Sequence, residues 1–177
     1  NAQAQAAAEA ARKAEEAKKA AEAKKAQEAA KKEETSGKTD STVKTGNTGF
    51  TWPCPSSSRI SSGFGDRSSP TEGASTNHKG IDIPAASGSA IVAAADGKVV
   101  ISTYSYSAGN YIMLDHGGGV STVYMHCSKL LVGVGEKVKQ GQVIAKVGST
   151  GYSTGSHLHF GIRSGGTYVN PRSYVSP

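Results

Sequence analysis

The sequence predicts a mainly β fold, an antiparallel β-sheet domain preceded by an N-terminal α-helical stalk. Three observations support this fold class. Residues 50–177 contain short runs rich in Val, Ile and Tyr that are separated by turn residues such as Gly and Asp. No stretch between these runs has the length and periodicity of a helix, which argues against a doubly wound α/β fold. Residues 1–34, in contrast, consist almost entirely of strong helix formers.

The N-terminal segment, residues 1–34, is built almost only from Ala, Glu, Lys, Gln and Arg, so we expect one continuous helix. Its acidic and basic residues nearly cancel and its only apolar residue is Ala, so this helix has little to bury. We therefore interpret it as a solvated stalk or the end of a longer coiled coil, rather than as a core helix or a basic nucleic-acid arm. Residues 35–49 are rich in Thr, Ser, Gly and Lys, which is typical of a flexible linker.

Six strands are predicted within the folded domain, which we expect to span residues 50–177. Each run is short, favours β-branched or aromatic residues, and is bounded by turn residues such as Asp96, Gly97 and Gly148. The predicted strands are residues 89–95, 98–104, 111–115, 120–126, 142–147 and 158–163. A domain of 128 residues can bury roughly two thirds of the surface of its unfolded chain, so these strands can enclose a substantial core.

Length and charge limit the partners of the chain. At 177 residues it suits one domain plus an appendage, and because it begins at Asn1 rather than Met we expect a mature or truncated piece of a longer protein. No apolar run reaches the ~18–20 residues of a membrane span, and no secretory signal pattern is present.

Residues 50–177 carry ten Lys or Arg against six Asp or Glu, which favours an anionic partner such as nucleic acid or a cell-wall polymer. No nucleic-acid module accompanies this charge, so we expect no nucleic-acid partner.

A His-x-His pattern lies in and just before the last predicted strand, at His157 and His159. Alternate residues of a strand share one face, so the two imidazoles stand side by side with their backbones roughly 6.5–7 Å apart. Neutral imidazole is a common transition-metal ligand and is also suited to proton transfer near neutral pH. An exposed or hydrogen-bonded pair on an edge strand explains the motif equally well when it is taken alone.

The positions of the other three histidines favour the functional explanation of the His-x-His pattern over the structural one. His78 and Asp82 flank Gly80, so we expect a loop entering a strand, rather than a helix, to bring them together. One imidazole and one carboxylate make half of a zinc site, although His-x-x-x-Asp is weak evidence by itself. His126 ends a predicted strand and joins the set, whereas His116 lies beside a hairpin turn and is assigned a structural role.

Three motifs follow one another along the domain: NHKGIDIP at 77–84, YMHCS at 124–128 and GSHLHFGIR at 155–163. In this order and spacing they resemble the zinc-binding and catalytic motifs of the lysostaphin-type or LytM-like metalloendopeptidases, which cut the peptide part of bacterial peptidoglycan. The similarity runs over nearly all of residues 52–177, including SGFGDR at 62–67. It implies a β-rich domain with a narrow groove, a single zinc ion (Zn2+), and a secreted or cell-envelope location.

The resemblance implies a role for each matched residue. His78, Asp82 and His159 correspond to the zinc ligands of the family, and three protein ligands leave the fourth position of a tetrahedron for water. His126 and His157 are implied to orient or deprotonate this water and to stabilise the tetrahedral oxyanion. The motifs do not say which of the two takes the proton.

Four other residues have weaker or competing assignments. Tyr152 is a candidate for the tyrosine that members of the family place near the oxyanion, and Asn77 has only a weak claim to touch the metal. Cys54 and Cys127 are alternative metal ligands, but Cys127 follows His126 on a strand and should face away from the cavity that His126 enters. A disulfide between the two cysteines is the favoured expectation, with free thiols as the alternative.

The sequence thus predicts a zinc-dependent endopeptidase that hydrolyses peptide cross-links or stem peptides of peptidoglycan. The alternative is a non-catalytic domain of the same fold that binds the wall or activates a partner hydrolase, although such a domain would be expected to have lost ligands. A phosphocarrier of related β architecture explains the His-x-His pattern less well and leaves Asp82 without a role. The expected partner is a peptidoglycan peptide, with a coiled-coil partner or an autoinhibitory region upstream as a further expectation.

Overall fold

The computed structural model of the chain describes residues 49–68, 72 and 75–177. The predicted stalk and all but one residue of the predicted linker lie outside the described residues, so these two segments and the coiled-coil partner remain predictions. The described part contains β-strands and one short 3₁₀-helix, Pro171–Ser173, but no α-helix. Within it, no helix has the length and apolar character that crossing a membrane requires.

Twelve strands occur among the described residues, and most of them are short. In chain order they are β1 (Gly65–Asp66), β2 (Asn77–His78), β3 (Ile81–Pro84), β4 (Ala90–Val92), β5 (Gly97–Ser105), β6 (Gly109–Asp115), β7 (Val120–Cys127), β8 (Lys129–Leu130), β9 (Lys137–Val138), β10 (Val143–Lys146), β11 (His157–Ser164) and β12 (Thr167–Val169).

The six strands predicted from sequence correspond to β4, β5, β6, β7, β10 and β11, with ends that differ by three residues or fewer. The mainly β, antiparallel fold class is therefore confirmed. The other six strands contain two to four residues each. Such short strands show no alternating pattern of apolar and polar residues, and this is why the sequence did not reveal them.

The largest sheet is antiparallel and runs in the order β12–β11–β7–β6–β5–β9. β3 pairs with one end of β11, on the edge whose other end pairs with β12. Two smaller antiparallel sheets, β1–β2 and β4–β10–β8, complete the fold. This arrangement places β11 between β7 on one side and β3 on the other, so three chain segments that are distant in sequence meet along one strand.

The two faces of β11 have different environments. Leu158, Phe160 and Ile162 are fully buried in the hydrophobic core. His157 and His159 alternate with them and therefore lie on the opposite face. Burial of each of these apolar side chains contributes about 1.5–3 kcal/mol to the free energy of folding. A shift of one residue in the pairing of β11 would turn these side chains to the other face of the strand, so their burial fixes the register. The core side chains thus hold both histidines on one face of the strand.

The structure corrects the expectation for the two cysteines. Cys54 and Cys127 are free, fully buried thiols, so the predicted disulfide is not present. Both belong to the hydrophobic core, where cysteine packs as a small apolar side chain, and Cys127 Sγ lies 3.8 Å from the carbonyl oxygen of Tyr124. Burial raises the pKa of Cys127 to about 12, which keeps this thiol protonated and unreactive near neutral pH.

A chain of polar contacts, partly buried, links β7 and the turn after β6 to the loop that precedes β5. The hydroxyl oxygen of Tyr124 accepts a hydrogen bond from the backbone amide of Ala94 at 2.9 Å, and it lies 2.9 Å from Thr122 Oγ1. Thr122 Oγ1 also lies 2.7 Å from His116 Nε2. His116 Nδ1 donates to the carbonyl oxygen of Asp96 at 2.7 Å. These contacts support the structural role assigned to His116.

Replacing Tyr124 by Phe should lower the free energy of unfolding by about 1–3 kcal/mol, because the Ala94 amide would lose its buried partner. Urea denaturation measures this loss as a lower midpoint at an unchanged m-value. Tyr104→Phe is the matched control: its side chain is 58% exposed, so the free energy should change by less than about 0.5 kcal/mol. Equal midpoints for Tyr124→Phe and the parent protein would contradict the stabilising role of the hydroxyl.

Candidate metal centre

Three strands bring the predicted metal ligands together. β3 and β11 pair in antiparallel register, which places Asp82 directly opposite His159. His78 ends β2, where it pairs with Gly65 of β1, and a two-residue connection leads from His78 to β3. The side chains of His78, Asp82 and His159 are all buried. Residues separated by up to 81 positions therefore meet at one point.

The three ligand atoms form a nearly equilateral triangle. His78 Nε2 lies 2.9 Å from His159 Nδ1 and 3.1 Å from Asp82 Oδ1, and His159 Nδ1 lies 2.9 Å from Asp82 Oδ1. Tetrahedral nitrogen and oxygen ligands about 2.0–2.1 Å from a zinc ion stand roughly 3.3 Å apart, so a small expansion would admit the ion. Two imidazole nitrogens and one carboxylate oxygen are also the donor set of catalytic zinc sites that keep a fourth position open. The residues present therefore fit a zinc ion.

A backbone contact fixes the orientation of the His78 ring. His78 Nδ1 donates a hydrogen bond to the carbonyl oxygen of Gly63 at 2.6 Å. Because Nδ1 carries the proton, the lone pair of Nε2 faces His159 and Asp82. A carbonyl behind a ligating imidazole also raises the basicity of the ligand, which favours metal binding.

Burial and charge pairing set the protonation state of the cluster. Burial raises the pKa of Asp82, but the close contacts of its carboxylate with the rings of His159 and His78 more than offset this effect and hold the pKa well below its usual range. Burial lowers the pKa of His159. At neutral pH the cluster therefore contains an ionised carboxylate beside a neutral imidazole, which is the state that metal binding requires.

Arg67 is a site residue that the sequence did not reveal. Its Nη1 donates to Asp82 Oδ2 at 2.7 Å and to Ser62 Oγ at 2.9 Å. The first bond occupies the outer oxygen of the carboxylate, so Asp82 presents only Oδ1 to the other two ligands. Arg67 lies in the SGFGDR motif, but no local pattern connects it to a carboxylate 15 positions away.

Gly80 is required by the close approach of the β2–β3 connection to β11. A Cβ atom at this position would overlap the carbonyl oxygen of Phe160 and would lie 2.8 Å from His159 Nε2. Real Cβ atoms do not come so close to other heavy atoms. The absence of a side chain therefore allows His78 and Asp82 to reach His159 from the neighbouring segment.

His126 stands at a distortion of β7. The pairing of β6 with β7 shifts between Asn110 and Ile112, which leaves one extra residue in β7, and His126 adopts a φ of 64°. A non-glycine residue in this left-handed region costs about 1–3 kcal/mol, and such residues are concentrated at functional sites. The distortion lets His126 line a cavity while the next residue, Cys127, enters the core.

Backbone contacts hold His126 in this position. Its amide donates to the carbonyl oxygen of Ala108 at 2.8 Å, and its Nδ1 donates to the carbonyl oxygen of Thr150 at 2.7 Å. Nε2 is therefore the hydrogen-bond acceptor of the ring. Burial lowers the pKa of His126 to about 4, so the imidazole is neutral at pH 7 and can accept a proton.

His157 lies beside His126, with 4.8 Å between the ring centroids. Its Nδ1 is 2.8 Å from the carbonyl oxygen of Gly155 and 3.2 Å from Ser153 Oγ. Its Nε2 is 3.7 Å from Asp82 Oδ1. The structure thus brings the second pair of histidines next to the ligand cluster, and His126, His157 and Asp82 line a common cavity.

The cavity has a volume of about 440 Å³, and its lining includes several small residues, among them five serines. It is lined by Ser61, Ser62, Arg67, Ser68, Asp82, Pro84, His126, Tyr152, Ser153, Thr154, Gly155, Ser156 and His157. The position of Tyr152 in this wall keeps it a candidate for contact with the oxyanion. Asn77 is exposed, and its side-chain amide donates to Asp66 Oδ1 at 3.1 Å, so it takes part in the pairing of β1 with β2.

Comparison with known families decides the relationship of the chain. The sequence model of Peptidase family M23 matches residues 76–171, which is more than half of the chain. The chain belongs to peptidase family M23. The matched segment includes all five clustered residues of this M23 domain: His78, Asp82, His126, His157 and His159.

Individual relatives agree with this assignment. The M23 chain is 42% identical over 120 residues to the peptidoglycan DD-endopeptidase ShyC of Vibrio cholerae, and the match covers 67% of this chain and 28% of ShyC. A zinc-containing peptidase from Vibrio cholerae superposes with a TM-score of 0.66 and 33% identity, over 76% of this chain and 41% of that one. The catalytic domain of lysostaphin from Staphylococcus simulans superposes with a TM-score of 0.59 and is 37% identical in sequence. This match covers 64% of this chain and 89% of the lysostaphin domain. The resemblance to the lysostaphin- and LytM-like family is confirmed, and the chain spans about a quarter of the length of the curated relatives it matches.

Replacing Arg67 by Gln should weaken zinc binding about 10- to 100-fold, because Asp82 would lose the donor that orients its outer oxygen. Zinc titration of the metal-free protein against a competing chelator measures the affinity. The unfolding midpoint of the metal-free variant shows whether the fold is intact. Arg59→Gln changes an exposed arginine and should leave the affinity unaltered. Identical zinc affinities for Arg67→Gln and the parent protein would refute the orienting role.

Proposed function

We propose that this M23 chain is a zinc-dependent endopeptidase that hydrolyses peptide cross-links or stem peptides of bacterial peptidoglycan and acts outside the cytoplasm. The observation that carries the proposal is the convergence of three ligand atoms, 2.9–3.1 Å apart, beside two further imidazoles. The similarity to ShyC, a peptidoglycan DD-endopeptidase, supports the class of substrate.

The alternative, a non-catalytic domain that binds the wall or activates a partner hydrolase, explains less of the site. Such a domain needs neither a metal-ligand triangle nor proton acceptors. Here His78, Asp82 and His159 are in place, and the backbone of His126 is held in a left-handed conformation. That conformation reduces the stability of the fold by about 1–3 kcal/mol, and a non-catalytic domain would have no functional reason to keep it.

The ligand triangle defines what the site would hold. His78 Nε2, His159 Nδ1 and Asp82 Oδ1 would bind zinc, and Arg67 would keep the carboxylate monodentate. Bound there, zinc supplies Lewis acidity that activates a water molecule and polarises the scissile carbonyl group. The buried surroundings strengthen these electrostatic interactions because little water is present to screen them.

The second pair of histidines performs the proton transfers. In both rings Nδ1 lies against a backbone carbonyl oxygen, so Nε2 is the free acceptor. One of the two rings accepts the proton of the attacking water at Nε2. The imidazolium that results carries an Nε2–H group, which can donate to the tetrahedral oxyanion and then deliver the proton to the leaving amine nitrogen. The other ring, 4.8 Å away, orients the water.

The decisive experiment is digestion of defined cross-linked muropeptides by the purified protein, read by mass spectrometry. We expect peptide products whose masses identify the bond that is cut, and we expect a metal chelator to abolish them. Restoring zinc to the chelated protein should restore the products. If no peptide bond is cut in the presence of zinc, the proposed activity is wrong.

Two alanine variants separate metal binding from proton transfer. His159→Ala should lose both zinc and activity, because it removes one of three protein ligands. His126→Ala should keep one equivalent of zinc but lose about 10²- to 10⁴-fold in kcat, which is the usual contribution of a general acid–base group. Metal analysis after dialysis and the peptide assay provide the two measurements. One equivalent of zinc retained by His159→Ala would overturn the ligand assignment.

A further inference from the structure

Tyr106 has the largest exposed fraction, 76%, among the large hydrophobic side chains that the structure describes. It lies in the three-residue turn, 106–108, between β5 and β6. Its ring packs edge to face on Tyr152, with 5.3 Å between centroids and 81° between ring planes. Tyr152 lines the cavity of the metal centre. Tyr106 and Tyr152 together form what we call the aromatic ledge, which extends from the cavity wall into solvent.

The aromatic ledge is anchored to the same turn that holds the backbone of His126. The carbonyl oxygen of Ser107, next to Tyr106, accepts a hydrogen bond from the amide of Tyr152 at 2.9 Å. The carbonyl oxygen of Ala108 accepts one from the amide of His126 at 2.8 Å. One turn therefore fixes the ledge and His126 together, so a molecule that rests on Tyr106 is held at a defined place relative to the reacting atoms.

Close packing makes this connection rigid. A Cβ atom at Gly109 would overlap Thr150, and one at Gly151 would overlap the amide nitrogen of Gly109. The amide of Asn110 also donates to Thr150 Oγ1 at 3.1 Å. The β5–β6 turn and the loop that carries Tyr152 consequently touch backbone to backbone. An exposed aromatic side chain on such a rigid support is suited to binding, because little conformational entropy is lost when a ligand contacts it.

The chemistry of the proposed substrate indicates what occupies the ledge, and this step rests on the proposed function. Peptidoglycan consists of peptides attached to a glycan strand. The small polar residues of the cavity suit a peptide backbone, whereas Tyr106 lies outside the cavity and offers an apolar face with a hydroxyl group. A sugar ring has a matching form, an apolar C–H face with hydroxyl groups at its edge. We propose that the aromatic ledge binds a sugar ring of the glycan strand that carries the scissile peptide.

Kinetics on two matched substrates test the assignment with the zinc-loaded protein. One substrate is a cross-linked muropeptide that carries its disaccharides, and the other is the same cross-linked peptide without sugars. Tyr106→Ala should raise KM for the sugar-bearing substrate about three- to tenfold relative to the sugar-free one, the loss expected for one aromatic contact. Tyr106→Phe, which keeps the ring, should restore most of this difference. An equal change in KM for both substrates, or no change for either, would overturn the proposal.

Tyr168→Ala is the matched control for loss of a partly exposed tyrosine. Tyr168 lies on β12 opposite Arg163, six residues along β11 from His157, and does not line the cavity. Its replacement should leave the ratio of the two KM values unchanged. A shift of that ratio equal to the shift caused by Tyr106→Ala would show that the effect is not specific to the aromatic ledge, and the proposal would fall.

Binding of peptide-free glycan strands separates this proposal from the proposed function. We expect such strands to perturb the NMR signals of Tyr106 and Tyr152, and we expect Tyr106→Ala to weaken the binding at least threefold. Should the parent protein cut neither substrate, the endopeptidase proposal fails, and this titration alone decides the role of the ledge. Glycan binding that is identical in Tyr106→Ala and the parent protein would refute the sugar subsite.

Discussion

The antiparallel pairing of β3 with β11 is the contact on which the candidate site depends. It sets Asp82 opposite His159 and brings His78 to the same point through a two-residue connection. Leu158 and Phe160 determine the register from the other face of β11, because a slip of one residue would turn them out of the core and turn His159 into it. Apolar packing on one face of the strand thus supplies the free energy that holds three polar ligand atoms together on the other.

Several features of the site lower the stability of the folded protein, and neighbouring contacts offset part of this loss. Two imidazole nitrogens stand 2.9 Å apart beside a buried carboxylate, and His126 has a left-handed backbone. The ion pair with Arg67 and backbone carbonyl groups behind the rings offset part of the cost. A bound cation would convert the remaining repulsion between lone pairs into attraction, so metal binding and stability of the fold are coupled. The same coupling would compensate for the cost of burying these polar groups.

Local sequence patterns predicted some features of the fold and the site but gave no indication of others. The longer strands were predicted because they are rich in Val, Ile and Tyr and are bounded by turn residues, and His157 and His159 were placed on one face because alternate residues of a strand share a face. The disulfide was expected from the number of cysteines, but a count contains no information about the direction of each thiol, and both thiols turn into the core. Arg67 was missed because its partner, Asp82, lies 15 positions away on β3, and the bulge at His126 was missed because no residue type signals it.

The sequence by itself determined the mainly β fold class, the residue types of the centre and the family to which its motifs are similar, because strand periodicity and motif order are local properties of the chain. Only the tertiary structure decided how those residues meet: the register of β3 against β11, the monodentate presentation of Asp82 and the aromatic ledge beside His126. These features arise from contacts between segments far apart in the chain. The packing of the whole core sets their geometry, so no short stretch of sequence contains it.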